Sequence, residues 1–273
     1  NGPDASHDCC DKLGWKHQVV TKRLIARLDV KGSRLIKGVC FEGLRVLGSA
    51  ETFASRYYED GIDEIMFIDA VASLYGRNSL VDVLSQVARN VFVPIVAGGG
   101  VRSVNDAHQL LESGADKVAV NTAAIECPAL ISDIAGTFGS QCVVLSVQAK
   151  RTATGWECYT DGGRERSKLD AVEWIERSVN LGAGEVLVTS VDRDGTHKGL
   201  DTELIGVVSA IVPVPLIVGG GVGNDKDVVE GFDAGADAVA IGSALHYDAL
   251  HVGEVRRTCQ SRGITVREFN EVE

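Results

Sequence analysis

Eight short apolar runs rich in Val, Ile and Leu punctuate the chain, separated by stretches whose apolar residues recur with helical spacing. They are LIARLDV from Leu24, IMFID from Ile65, IVAGG from Ile95, VAV from Val118, VVLSV from Val143, VLVTS from Val186, LIVGG from Leu216 and VAI from Val239. Runs this short and this apolar predict strands buried on both faces, as in a parallel sheet. Their starts lie 41, 30 and 23 residues apart in the first half and 43, 30 and 23 in the second, with 25 between the halves. Each interval leaves room for a helical crossover, so strand and helix are expected to alternate. Eight such units in a chain of this length predict an α/β fold of the (β/α)8 TIM barrel type.

The doubled spacing points to an internal repeat. A shift of 121 positions, which carries Gly98 onto Gly219, lays VAGGGV at Val96–Val101 on IVGGGV at Ile217–Val222 and SGADKVAV at Ser113–Val120 on AGADAVAI at Ala234–Ile241. Two similar half-barrels closed into one explain this better than two separate domains, because each four-unit half alone would leave open sheet edges. The barrel is expected over residues 19–273. Residues 1–18, polar and without apolar period, read as an extension outside the fold.

In such a barrel the chemistry lies where the strands end. Strands three and seven both end in glycine triplets, Gly98-Gly99-Gly100 and Gly219-Gly220-Gly221, each followed by a helix start with Ser103 capping toward Asp106 and Asn224 toward Asp227. Strands four and eight end in small polar pairs, Asn121-Thr122 and Gly242-Ser243. One glycine-rich turn could equally serve close strand–helix packing. Two at repeat-related places favour two phosphate cups built on backbone N–H groups, with Gly99, Gly100, Asn121 and Thr122 in one and Gly195, Gly220, Gly221, Gly242 and Ser243 in the other. The ligand this implies carries a phosphate at each end.

Asp29 ends the first strand and Gln148 the fifth, facing each other across an eight-stranded ring. Asp69 ends the second, and Thr189, Ser190, Asp192 and Asp194 cluster after the sixth. Asp29 is either a mouth carboxylate or an ordinary cap, and Asp194-Gly195 is open to reading as a tight turn. At the opposite ends Arg23, Glu64, Lys117 and Glu185 precede apolar runs, either as scattered surface charges or as a ring of opposite charges closing the barrel floor.

Composition narrows the partners. With 27 Lys and Arg against 38 Asp and Glu the formal charge is −11, which argues against binding nucleic acid or an anionic membrane. Hydrophobic residues at 45% and charged ones at 24% are the balance of a globular protein, without a bilayer-spanning run or a secretory signal, so a cytoplasmic location is expected. Seven scattered cysteines, with no CxxC pair, indicate neither a disulfide framework nor a zinc site, and no cofactor is called for. Glycine is abundant, 31 residues against five prolines, and six of the 31 lie in the two strand-end triplets. A backbone phosphate site lets an acidic chain bind a small anion.

AGGGVRS at Ala97–Ser103, SGADKVAVNTAA at Ser113–Ala124, FGSQC at Phe138–Cys142, LDAVEW at Leu169–Trp174 and LGAGEVLVTSVDRDGT at Leu181–Thr196 together resemble the cyclase subunit of imidazole glycerol phosphate synthase. The similarity runs from about Lys22 to Val266. The resemblance implies a lyase and cyclase of histidine biosynthesis that takes ammonia along the barrel axis from a glutaminase subunit and uses it on a bisphosphorylated substrate. The family's first-strand catalytic aspartate falls on Asp29, its loop lysine on Lys37 and its active-site Asn and Thr on Asn121 and Thr189, with Asp194 beside them. Its gate charges fall on Arg23, Glu64, Lys117 and Glu185, and its glutaminase-facing residues on Asp116 and Gln141.

The chain departs from that pattern at two places: the second catalytic aspartate falls on Gln148, and a cysteine two residues before the first aspartate is Arg27. An amide can hydrogen-bond a substrate but cannot exchange a proton near neutral pH. ARLDVKG, FEGLRVLG and SLYGRN moreover look like a paralogue group linked to amidation of surface-polysaccharide sugars. Three functions follow: the family's cyclase chemistry, a sugar-amidation role for the same ammonia route, or a non-catalytic ammonia conduit. A phosphate-binding barrel without a partner is the plainer alternative.

Overall fold

The computed structural model describes residues 21–72 and 80–269, and the expected extension at residues 1–18 lies outside them. Eight parallel strands close on themselves: β1 (Arg23–Lys31), β4 (Glu64–Asp69), β5 (Ile95–Gly98), β6 (Lys117–Val120), β7 (Val143–Arg151), β10 (Glu185–Ser190), β11 (Leu216–Gly219) and β12 (Ala238–Ile241), with β12 pairing back onto β1. This is the (β/α)8 barrel, and each predicted apolar run lies on one of its strands.

Side chains alternate across every strand, so each strand feeds two cores. Outward residues such as Leu24, Ala26 and Leu28 of β1 pack under the helices in one continuous cluster. Inward residues form a separate apolar layer across the axis, including Ile25, Met66, Val96, Val144, Leu187 and Ile217. Along β1 the inward series reads Arg23, Ile25, Arg27, Asp29, so one strand carries a charged floor, an apolar middle and a charged mouth.

The repeat extends to element boundaries. The 121-residue shift carries α1 (Ala50–Glu59) onto α6 (Ala171–Asn180), α3 (Val104–Glu112) onto α8 (Asp225–Asp233), and β4 onto β10 residue for residue. Between α1 and α3 lies α2 (Leu80–Val87); α4 (Thr122–Glu126) and α5 (Ala129–Phe138) precede α6, and α7 (Thr202–Ser209) precedes α8. Two helices, α9 (Ser243–His246) and α10 (Val252–Ser261), follow β12. Among the described residues no helix is long and apolar enough to cross a membrane.

The two longest intervals correct the simple alternation. The first holds an antiparallel hairpin, β2 (Arg34–Val39) and β3 (Glu42–Ser49), before its helix, with β2 paired to β1. The second holds β8 (Trp156–Thr160) and β9 (Glu165–Asp170), with β8 paired to β7. The left-handed turn residue Gly32 (φ +58°) directs the chain back along β1 before a helix can start. Both hairpins rise from the carboxyl ends of the barrel strands and wall the mouth.

Candidate active site

The glycine turns after β5 and β11 share a backbone reason. Gly99 (φ +96°) and Gly220 (φ +90°) are left-handed, and a Cβ at either would strike the backbone of the neighbouring strand end, at Asp69 and Ser190 respectively. The helices that follow are capped as the sequence predicts. Ser103 accepts from Asp106 N–H at 3.1 Å, and Asn224 with Asp227 forms a reciprocal capping box.

The mouth holds a cavity of about 260 Å³. Gly99, Gly100, Asn121 and Thr122 line it, as do Asp29, Lys37, Gln148 and Asp194. Arg102 and Arg164 also line it, giving the first glycine turn cationic neighbours that the sequence reading did not single out. The second set, Gly195, Gly220, Gly221, Gly242 and Ser243, lines a smaller space of about 10 Å³, and Gly195 and Ser243 also border, with Lys37, a cavity of about 510 Å³. Among the described residues no group of three or more His, Cys, Asp or Glu side chains converges as a metal site requires.

Between the cavities stand two cations and two anions. Arg27 Nε donates to Asp29 Oδ1 at 3.0 Å and its guanidinium reaches Thr189 Oγ1 at 2.8 Å. Lys37 Nζ bridges Asp29 Oδ2 at 3.0 Å and Asp194 Oδ1 at 3.0 Å. None of Arg27, Asp29, Lys37 and Asp194 is more than 5% exposed. Burial by itself would raise the Asp29 carboxyl, but Arg27 and Lys37 together outweigh it and hold Asp29 well below the usual carboxylate range. Burial likewise opposes the charge on Lys37, and Asp29 and Asp194 overcome it, raising the ammonium. Asp194 is thus both a turn residue and an ion-pair partner. Thr189 is fully buried and engaged by Arg27.

Arg27 is the mouth residue that sequence reasoning noticed only as a departure. Its signal was there, since alternation puts positions 27 and 29 of ARLDV on one face of the strand. Gln148 is 7% exposed and its Oε1 has no hydrogen-bond partner among the described residues. Asn121 Nδ2 donates to the Tyr159 carbonyl at 3.2 Å, and Thr122 Oγ1 accepts from Asp161 N–H, so both help hold the second hairpin. His246, beside Gly242, is 5% exposed with Nδ1 2.6 Å from the Tyr57 hydroxyl. Burial, with help from Lys37, lowers its pKa from 6.5 to about 4.

At the other end of the axis the four floor charges form a closed ring. Glu64 contacts Arg23 at 2.6 Å and Lys117 at 3.2 Å, and Glu185 contacts Arg23 at 3.1 Å and Lys117 at 2.9 Å. Glu64 is 1% exposed, and burial raises its carboxyl despite both cations. Asp116 and Gln141 are exposed at the same end, just before β6 and near the start of β7. Asp116 also has a local duty, accepting from Ile95 N–H at 2.8 Å, as its repeat mate Asp237 accepts from Leu216 N–H.

A closed parallel barrel with a polar, ion-paired mouth and a charged floor defines a (β/α)8 barrel whose site lies at the carboxyl ends of its strands. Comparison with known proteins narrows the class. The histidine biosynthesis protein family matches residues 23–251. The imidazole glycerol phosphate synthase subunit HisF of Legionella pneumophila is 58% identical over 203 residues, covering 74% of this chain and 96% of the relative. The subunits of the same name from Mycobacteroides abscessus and Mycobacterium tuberculosis are 47% identical over 255 residues and 46% over 252, covering 91% and 90% of this chain and 99% and 94% of the relatives. The chain belongs to the histidine biosynthesis protein family, and within it to the HisF-like cyclases, enzymes of the lyase type.

Proposed function

We infer that this chain is the barrel subunit of a two-component glutamine amidotransferase. A glutaminase docks on the floor around Asp116 and Gln141. Ammonia passes the Arg23–Glu64–Lys117–Glu185 ring, crosses the apolar interior layer as a neutral molecule and emerges at the mouth beside Gln148. There it attacks an electrophilic carbon of a phosphorylated substrate held at a glycine turn, and lyase and cyclisation steps follow. The subunit works in the cytoplasm, in keeping with the free thiols of Cys40, Cys127, Cys142, Cys158 and Cys259. The observation that carries this reading is the closed charge ring on the axis, directly beneath an apolar layer with a polar cavity beyond it. Capture of a glutaminase subunit by the intact chain, with glutamine hydrolysis rising on docking, tests it; absence of any association would overturn it.

A second reading has its own observation. Asp29 is clamped by two cations in its ionised form, and the position across the mouth is a neutral amide. A carboxylate so held is a weak base and does not supply a proton at neutral pH. This favours a paralogue that delivers ammonia for amidation of a surface-polysaccharide sugar, or a conduit, over rapid turnover of the histidine-pathway substrate. Ammonia-driven cyclase turnover of the unmodified chain decides: a rate of ~1–10 s⁻¹, ordinary for enzymes, and abolished by Asp29→Asn would set this second reading aside.

A further inference from the structure

Two alanines of the apolar interior layer look up into the mouth. Ala119 of β6 lines the cavity of about 260 Å³, and Ala240 of β12 lines the space of about 10 Å³. No other buried residue of that layer, among the described residues, lines either space. The 121-residue shift carries the first alanine onto the second, so the repeat offers two equivalent ways out of the layer. What stands over each alanine makes them unequal.

Strand register identifies the two covering residues. Ile25 of β1 pairs with Ala240, and Val144 of β7 pairs with Ala119. The next inward residue toward the mouth is Arg27 on β1 and Ser146 on β7. Arg27 pairs with Met66 and Ser146 with Leu187, the repeat mate of Met66, so the two hold equivalent places. Arg27 reaches Thr189 Oγ1 on β10 at 2.8 Å, and the strands between β1 and β10 on that side are β12 and β11. Ala240 and Gly219 are level with Thr189 in the register, so the guanidinium lies over both. Asp29 at 3.0 Å and the Phe41 ring, 5.6 Å from the guanidinium carbon, fix it there. In the other half a hydroxymethyl group stops short. Ser146 makes no side-chain hydrogen bond among the described residues, and it lines the larger cavity together with Ala119 and Ile68. Its hydroxyl is free to donate or accept at the upper edge of the layer.

We propose that ammonia leaves the barrel interior on one side only: it passes from the apolar layer at Ala119, makes its first hydrogen bond with the Ser146 hydroxyl and enters the mouth beneath Gln148, while Arg27 covers the repeat-related way past Ala240. This rests on the ammonia route of the reading above and fixes its outlet. Ser146 is a positioning residue for ammonia, and Arg27 acts by occupying the other outlet.

Thiol labelling of the full chain with methyl methanethiosulfonate, read peptide by peptide by mass spectrometry, tests the two outlets. The thiol introduced by Ser146→Cys is expected to react at least tenfold faster than the one introduced by Ala240→Cys. Adding Arg27→Ser to Ala240→Cys is expected to raise its rate at least tenfold. Equal rates in the two single variants, or no gain on removing Arg27, would overturn the proposal. In the complex with the glutaminase, Ser146→Leu is expected to lower the ratio of glutamine-driven to ammonia-driven turnover at least tenfold, and Ala240→Val to leave it within twofold. An undiminished ratio in Ser146→Leu, or an equal fall in Ala240→Val, would overturn it as well. Labelling needs neither glutaminase nor substrate, so failure of partner docking and failure of the one-sided outlet are separately visible.

Discussion

Asp29 accepts from Arg27 and Lys37 at 3.0 Å each, and this clamp governs both its chemistry and its contribution to stability. Its lowered carboxyl stabilises the fold above the unfolded carboxylate range, and that contribution is lost as pH falls through the lower folded value. Asp29→Asn leaves two buried cations sharing one anion, and unfolding in urea at pH 7 is expected to show a loss of ~3 kcal/mol or more. Gln148→Asp restores a proton-exchanging group across the mouth, and ammonia-driven cyclase turnover is expected to rise ~10²-fold. His246 gives a pH dependence of definite sign. Its folded value of about 4 lies below the ordinary 6.5, so between them the unfolded chain binds more protons and stability falls as pH drops from about 6.5 to about 4. The span corresponds to ~3 kcal/mol at most, and His246→Gln is expected to flatten the difference in unfolding free energy between pH 7 and pH 4.5. Raised Glu64 contributes with the opposite sign, which is why the variant is compared with the parent at both pH values.

The elements most legible in the sequence are those whose rules are local. The caps at Ser103 and Asn224 follow from a side-chain acceptor placed three residues before an acidic partner, and the structure has both. Replacing Asn224 by Ala removes its bonds to Lys226 and Asp227 N–H, and thermal or urea melts are expected to show a loss of ~1 kcal/mol. Gly220→Ala is expected to cost more, because the new Cβ would meet the Ser190 carbonyl in a left-handed turn. The two hairpins were less legible. Intervals of 41 and 43 residues accommodate a helix alone or a hairpin and a helix, and residue spacing does not separate the two. What fixes the hairpins is pairing to β1 and β7, a contact made only once those strands are in the barrel.

At the scale of the whole molecule the floor ring couples strands far apart in sequence. Glu64→Ala leaves Arg23 and Lys117 dependent on Glu185, and a stability loss of ~3 kcal/mol or more is expected from urea unfolding. In a complex with the glutaminase, the same change is expected to lower the ratio of glutamine-driven to ammonia-driven turnover. The sequence by itself determined the eight strands, the twofold repeat, the glycine turns and the four floor charges. Each is written in period, spacing or self-similarity, and the parallel barrel follows because buried apolar strands with helical crossovers have few other ways to remove their edges. Only the tertiary structure decided which of these residues meet. Arg27 reaches Thr189 across 162 positions and Lys37 reaches Asp194 across 157, and long-range hydrogen bonds and ion pairs of this kind leave no periodic trace. Two glycine turns that read as equals therefore come to face different surroundings, because Arg27 of β1 and Lys37 of β2 stand between the cavities beside them.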